Sequence, residues 1–226
     1  MLALTFSTGL IDAVGYLGLD RVFTGNMTGN VVILTMGLAG ADDLPIVGPI
    51  IALVGFMLGA VIAGRSLRPV AAGWSTHSTS LFTVVAIILV GAAAIAVFSD
   101  STRPLWLAYA ITGLLGVAMG MQAGTARHIG VKDVTTVVVT STLVGLAFDS
   151  RLGGNAKQAW ERRLGAIVLL GLGAAAGALL LRINLGAGIS AAALITVIAA
   201  ILGHLGRPVP DRAESDLVRE KRARRR

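Results

Sequence analysis

Long apolar runs separated by short polar stretches dominate the chain. Six of these runs have about the 17–25 residues that a membrane-spanning helix needs. Two shorter apolar runs, with fifteen or fewer residues each, are short for a full span. The pattern predicts an all-α integral membrane protein. The long runs cover residues 2–19, 47–64, 80–98, 105–124, 164–181 and 185–204, and the short runs cover 27–41 and 135–148.

The composition agrees with a protein that lipid surrounds. Of its 226 residues, 55% are hydrophobic and 14% are charged, and the mean hydropathy is +0.81. Soluble domains carry about 25% charged residues, so this chain has too little polar surface to cover itself in water. No cleavable signal precedes the first apolar run, which we therefore expect to remain as a helix. Cysteine is absent, which excludes disulfides and thiolate metal sites.

The distribution of basic residues bears on the number of spans. If both short runs enter and leave the membrane on the same side, six helices span it. The side of the carboxyl terminus then has 16 Lys and Arg, and the other side has 3. If the short runs also span, the split becomes 13 against 6. The positive-inside rule favours six spans. It also predicts a cytoplasmic carboxyl terminus, while eight spans stay open.

The last segment of the chain carries much of the basic excess. Eight of the 19 Lys and Arg lie in the last twenty residues, within a polar tail at 206–226. We expect this tail to be disordered and to bind anionic lipid headgroups. A basic tail beside a membrane domain explains the net charge of +7 without nucleic acid, so nucleic acid is not an expected partner.

The two short runs and their surroundings resemble each other at an offset of 112 positions. Each is followed by a helix with a Gly-xxx-Gly step, which favours close helix packing. The sequence therefore predicts one transmembrane domain, 1–205, made of two copies at about 1–98 and 105–205. With six spans the copies are inverted, as in many transporters, whereas with eight they are parallel and the transporter inference weakens. The matching pairs are Thr24 with Thr136, Thr28 with Thr140 and Asn30 with Thr142, and the glycine steps are Gly55 with Gly59 and Gly173 with Gly177.

Three motifs carry a family resemblance over nearly the whole chain. GLIDAVGYLGL from Gly9, FTGNMTGN from Phe23 and TTVVVTSTL from Thr135 resemble the YoaK-type family of multi-spanning bacterial inner-membrane proteins, whose function is unknown. The resemblance implies an architecture and a location but no activity. The second half departs from the family pattern, because Gln122 is followed by Ala123 instead of Asn, and Ser141 replaces a glycine.

Polar side chains inside apolar runs are the candidate binding residues. A carboxylate within a membrane helix is costly unless it is paired, hydrated or protonated, so Asp12 is a functional candidate by default. Gly and Asn disfavour helix interiors, so the 24–30 run should be an irregular entry that starts a short helix near Thr28, and irregular backbone at membrane depth is tolerated where protein or water surrounds it. The alternative is structural, with caps, interhelical hydrogen bonds and hydroxyls bonded to their own helix. The candidates for substrate binding are Asp12, Asn26, Thr28, Asn30, Gln122, Thr136 and Thr140.

These features favour a small transporter or channel that moves a small polar or ionic solute between two repeats. Exposed amides at a helix start favour an anion, whereas Asp12 favours a cation or a proton, and the sequence leaves both open. The alternative is a non-transporting scaffold, sensor or assembly factor. The three histidines lack metal-ligand spacing and Asp12 lacks an acid or base partner. We therefore expect no metal, cofactor or enzymatic activity. Bundles of this size commonly pair, which leaves a homodimer open.

Overall fold

Eight α-helices make up all the regular structure in the described part of a computed structural model. The structure describes residues 1–99, 104–130, 139–150, 153–154 and 159–207. The sequence boundaries agree within a few residues, although part of the second short run, 135–138, lies outside the described residues. The helices are α1 (Leu2–Gly18), α2 (Met27–Leu38), α3 (Val47–Leu67), α4 (Thr76–Phe98), α5 (Leu105–Ile129), α6 (Val139–Phe148), α7 (Trp160–Leu180) and α8 (Leu185–Leu205).

Five of these helices, α3, α4, α5, α7 and α8, are long and apolar enough to cross a membrane. Helix α1 has 17 residues, or about 26 Å at 1.5 Å per residue, slightly less than the hydrocarbon thickness. Helices α2 and α6, with 12 and 10 residues, are much shorter. Large apolar side chains cover the outside of the bundle, with Ile87 and Leu202 each 64% exposed. The predicted multi-pass, all-helical membrane protein is therefore confirmed.

Helix pairs from distant parts of the sequence form the bundle. Helix α1 packs along α7, and α3 packs along α5, both in parallel orientation, because contacting positions rise together along each pair. Helices α4 and α8 run antiparallel, so that Thr79 near the start of α4 meets His204 near the end of α8. Helix α1 also runs antiparallel to α8, where the Ser7 hydroxyl donates to the Ala192 carbonyl. Each half of the chain thus packs mainly on the other half.

Glycines allow the two parallel pairs to approach at backbone distance. A β-carbon on Gly173 of α7 would collide with the Phe6 carbonyl of α1, and one on Gly59 of α3 would collide with the Val117 carbonyl of α5. Gly55 contributes in the same way, since a β-carbon on it would lie 2.9 Å from the Gly113 carbonyl oxygen. Close packing at these glycine steps, as the sequence predicts, is what small residues provide in membrane bundles.

Candidate functional site

The segment after α1 turns back and runs along that helix toward its middle. Asp20 and Arg21 adopt left-handed backbone conformations, with φ of 62° and 58°, and these reverse the chain direction. Gly15 permits the contact, because a β-carbon there would lie 2.5 Å from the Val22 carbonyl oxygen. Residues 22–26 therefore carry polar backbone groups into the interior of the bundle, where α2 begins.

Asp12 binds the returning segment through three backbone amides. Its Oδ1 accepts hydrogen bonds from the amides of Thr24 at 3.0 Å, Gly25 at 2.7 Å and Asn26 at 3.3 Å. Asp12 is ten residues from the start of α1 and six from its end, so it lies about 15 Å from one end and about 9 Å from the other. A partly buried carboxylate at this depth is stabilised by charge-assisted hydrogen bonds with converging amides.

Two asparagines hold the same segment in place. The Asn30 side chain, which is fully buried, accepts from the Phe23 amide at 2.9 Å and donates to the Phe23 carbonyl at 2.5 Å. Asn26 is the N-cap of α2, and its side-chain oxygen accepts from the Gly29 amide at 3.3 Å. Both asparagines therefore have partners within the protein, and their amide groups set the geometry of the turn.

Gln122 of α5 joins this cluster from the other half of the chain. Its Nε2 donates to the Thr8 hydroxyl at 3.1 Å and lies 3.5 Å from the Leu4 carbonyl oxygen. The Thr8 hydroxyl itself donates to the Leu4 carbonyl at 2.9 Å, one helical turn back. Since Thr8 uses its proton there, it offers only lone pairs to Gln122. The amide nitrogen must therefore face Thr8, and the amide oxygen points elsewhere.

Several buried oxygens of the cluster have no hydrogen-bond partner. The Gln122 Oε1, Thr24 Oγ1 and Thr5 Oγ1 atoms are buried and unpartnered among the described residues. The second carboxylate oxygen of Asp12, Oδ2, also accepts no hydrogen bond within the described part of the chain. Buried polar atoms are nearly always paired in proteins, and leaving one unpaired costs about 1–3 kcal/mol. A group of unpaired oxygens on one cluster is therefore a candidate binding site for a ligand or water.

The structure brings together only part of the predicted site. Asp12, Asn26, Asn30 and Gln122 belong to one connected cluster, whereas Thr28 is exposed on α2 and makes no hydrogen bond within the described residues. Thr140 is exposed on α6, which contacts α7, and Thr136 lies outside the described residues. One pocket on the described surface lies along α4 and α8 and another lies near the end of α1, and none of the residues that line these two belongs to the cluster.

Thr5 and Thr8 belong to the cluster but were not among the candidates from the sequence. Both residues are buried, and with Asp12 they are spaced i, i+3 and i+7, which places them on one helix face. That spacing is visible in the sequence and was the signal to follow. Among the described residues no group of three or more His, Cys, Asp or Glu could hold a metal ion, so the ligands at this site would be one carboxylate and neutral oxygens.

Comparison with known proteins shows the family. A family model described as a protein of unknown function, DUF1275, matches residues 1–202. The chain belongs to this family. It is also 29% identical over 150 residues to the UPF0700 transmembrane protein YoaK of Bacillus subtilis (strain 168), a match that covers 65% of this chain and 64% of that relative. The match therefore spans a little less than two thirds of the relative. No solved structure matches the chain.

Proposed function

We propose that this family member is a small membrane transporter or channel that moves a small polar or ionic solute through a central site. Six helices would span the membrane, and α2 and α6 would be re-entrant. The observation that carries the proposal is the polar cluster of Asp12, Thr8, Gln122 and the 22–26 segment in the middle of an apolar bundle. Intramembrane ionisable residues and irregular backbone at membrane depth mark substrate or ion pathways in transporters.

The helix directions support six spans. Helix α1 runs parallel to α7 and antiparallel to α8, and α3 runs parallel to α5. The end of α1 and the start of α3 lie near each other, because Val22 meets both Gly15 of α1 and Gly48 of α3. If α1 ends and α3 begins on the same side of the membrane, the segment between them cannot contain a single full span. The 22–26 segment would then enter to the depth of Asp12, and α2 would lead the chain back to the same side.

The glycine contacts support two inverted copies of one unit. In each parallel pair of helices, a β-carbon on one glycine of each helix would collide with a carbonyl of the other helix. The residues of these two contacts in one pair correspond to those in the other pair at a fixed sequence offset. The α1 residues and their α5 counterparts differ by 111 positions, and the α3 residues and their α7 counterparts differ by 114. The paired contacts are Gly9 with Leu170 and Gly120 with Phe56, and Gly173 with Phe6 and Gly59 with Val117.

This correspondence also identifies a functional asymmetry between the halves. At an offset of 111, the position of Asp12 in α1 corresponds to Ala123 in α5. Only the first half therefore supplies a carboxylate at this level, and Gln122 of α5 approaches the same cluster through Thr8. The proposed site would be built mainly on the first half and completed by one amide from the second.

The charge distribution supports the orientation that we propose. With the carboxyl terminus in the cytoplasm of a bacterium, the six-span arrangement has 16 of the 19 basic residues on the inside. The basic tail at 206–226 would bind anionic headgroups of the inner leaflet. We propose no catalytic role, because the cluster has one carboxylate and no second acid or base beside it.

Single-cysteine labelling tests the arrangement, and the absence of native cysteine gives a clean background. We would place one cysteine at Asp20, one at Asp42 and one at Ala72, all of which are exposed, and label intact cells with an impermeant reagent. Six spans predict that Asp20 and Asp42 react alike and that Ala72 reacts oppositely. Eight spans predict that Asp20 and Ala72 react alike and that Asp42 differs. The second pattern would remove the inverted repeat and favour the scaffold function.

A flux measurement tests the transport function itself. The full chain would be reconstituted in liposomes, and currents would be recorded on solid-supported membranes while salts and small polar solutes are applied in turn. We expect a current or a counterflow signal that Asp12→Asn abolishes and Asp42→Asn leaves unchanged, since Asp42 is an exposed carboxylate that does not belong to the cluster. Equal signals from the wild type, the Asp12→Asn variant and protein-free liposomes would refute transport.

A further inference from the structure

The start of α2 is already occupied by groups of the protein itself. Helix N-termini attract anions through exposed amides, yet here Asp12 Oδ1 accepts from three consecutive amides, those of residues 24–26. The Asn26 side chain takes the Gly29 amide as well. A solute anion would have to displace a negatively charged carboxylate from these donors. The amides of residues 24–26 and of Gly29 are therefore not available to an anion in this structure.

The unsatisfied groups of the cluster are all oxygens. Gln122 is 1% exposed, and its Oε1 atom has no partner among the described residues. The orientation of the amide is fixed because its nitrogen donates to Thr8, so the free atom is an acceptor. The Thr24 and Thr5 hydroxyl oxygens are buried without partners, and each retains lone pairs. Asp12 Oδ2 adds a full or partial negative charge. Gln122 Oε1 and Asp12 Oδ2 can only accept, so a ligand that satisfies them must donate hydrogen bonds or be a cation, whereas each threonine hydroxyl can also donate.

These oxygens belong to one connected group of side chains. Gly25 lies beside both Thr8 and Asp12. A β-carbon on Gly25 would lie 2.9 Å from the Thr8 methyl and 3.3 and 3.4 Å from the two Asp12 carboxylate oxygens. Gln122 contacts Thr8 directly, and Thr24 precedes Gly25 in the chain. Thr5 lies one turn before Thr8 on the same face of α1. Thr8 therefore links the two halves of the cluster, because its methyl group lies beside Gly25 and its hydroxyl accepts from Gln122.

We propose that this cluster binds a small monovalent cation, with Asp12 Oδ2 as the charged ligand and the Gln122 and Thr24 oxygens as neutral ligands. A single carboxylate balances a single positive charge, and no second acid accompanies it among the described residues for a divalent ion. Oxygen ligands suit hard cations, and discontinuous helices in transporters coordinate such ions beside unwound backbone. The proposal deepens the proposed transport function and rests on it for its physiological meaning.

Binding can be measured without transport. Purified full-length protein in detergent would be kept at constant ionic strength with choline chloride, and choline would be replaced stepwise by lithium, sodium, potassium or rubidium. A ligand that binds the folded state raises Tm in a saturable manner. Equilibrium binding of radioactive sodium or rubidium would then give the stoichiometry. We expect at least one of these cations to raise Tm and to bind once per chain.

Variants of the proposed ligand residues, compared with a control variant, test which side chains bind the cation. Asp12→Asn retains an oxygen for the amides of residues 24–26 but loses the charge, and Gln122→Met and Thr24→Val each remove one neutral oxygen. We expect cation affinity to fall by about a hundredfold or more in the first and by about tenfold in the other two, where tenfold corresponds to about 1.4 kcal/mol. Asp42→Asn, which removes an exposed carboxylate, is the matched control and should bind as the wild type does. Size-exclusion profiles would establish that each variant is folded.

Several results would overturn the inference. One is that no cation raises Tm above choline. Another is that Asp12→Asn and the wild type titrate alike. A third is that exchanging chloride for phosphate or gluconate at fixed cation concentration shifts Tm, which would indicate an anion site. Cation binding without any flux in liposomes would refute the transport function and leave the cation site standing. Flux of a polar solute without cation binding would refute the cation site and leave the transport function standing.

Discussion

Removing the Asp12 carboxylate should release the segment that it holds. In Asp12→Ala the amides of residues 24–26 lose their shared acceptor. Thr24 and Gly25 are buried, and each buried donor left unpaired costs about 1–3 kcal/mol. The loss is partly offset, because a partly buried charge and its desolvation disappear too. We expect a net loss of about 3 kcal/mol, which lowers Tm by roughly 6–12 °C in a protein of this size.

The Asp12→Asn variant isolates the reason for that loss. An asparagine places an oxygen where Oδ1 lies and an amide nitrogen where Oδ2 lies, and Oδ2 has no partner to lose within the described residues. The three amides keep an acceptor, although each hydrogen bond is weaker without the charge, so the expected change is within about 1 kcal/mol. The alanine and asparagine variants should therefore separate clearly in a thermal unfolding assay in detergent.

Amide hydrogen exchange supplies the local measurement. Peptides that cover residues 22–30 should exchange faster in Asp12→Ala than in the wild type, while peptides from α4 and α8 should change little at temperatures well below Tm. Unaltered exchange at 24–26 in the alanine variant would refute the role of Asp12 as the anchor of this segment. Equal destabilisation by alanine and asparagine would show that the charge matters and that the acceptor geometry does not.

Three further substitutions test the packing and the cluster. Gly173→Ala should destabilise by about 1–3 kcal/mol because its methyl group would meet backbone, whereas Gly171→Ala, with open space around it, should show no loss in the same thermal assay. Asn30→Asp should lower Tm by the equivalent of about 2–4 kcal/mol, because it replaces the donor to the Phe23 carbonyl with a second acceptor; an unchanged Tm would contradict this. Gln122→Met removes a buried unpaired oxygen together with the hydrogen bond from Nε2 to Thr8, whose hydroxyl keeps its bond to the Leu4 carbonyl, so Tm should change by no more than a few degrees; a larger fall would contradict the assignment of Oε1 as unpaired.

The hydropathy pattern was sufficient to predict the helices and most of their ends. Apolar run length identifies spans because every backbone group in lipid must be bonded within its own helix. It was also sufficient to single out Asp12, since a carboxylate in such a run is conspicuous. The FTGNMTGN run was correctly read as an irregular start of a short helix, and Asn26 does cap it.

The pattern could not show which polar groups satisfy one another. Asn30 is a candidate ligand in the sequence, but its side-chain oxygen and nitrogen bind the backbone N–H and C=O of one residue, Phe23. The anchoring of residues 24–26 by Asp12 depends on the chain reversal at Asp20 and Arg21, two residue types that also occur in ordinary loops. The pairing of α1 with α7 is likewise invisible, because a Gly-xxx-Gly step identifies a packing face without naming the helix that meets it.

The pairing of α1 with α7 has a consequence for biosynthesis. About 140 residues separate the end of α1 from the start of α7, and at 5–20 residues per second a ribosome needs roughly 7–28 s to make them. Throughout that interval α1 is in the membrane without the helix that covers its glycine face. The amides that hold Asp12, by contrast, emerge within a few seconds of it. The carboxylate is therefore sheltered by its own neighbours during insertion, well before the second half of the protein exists.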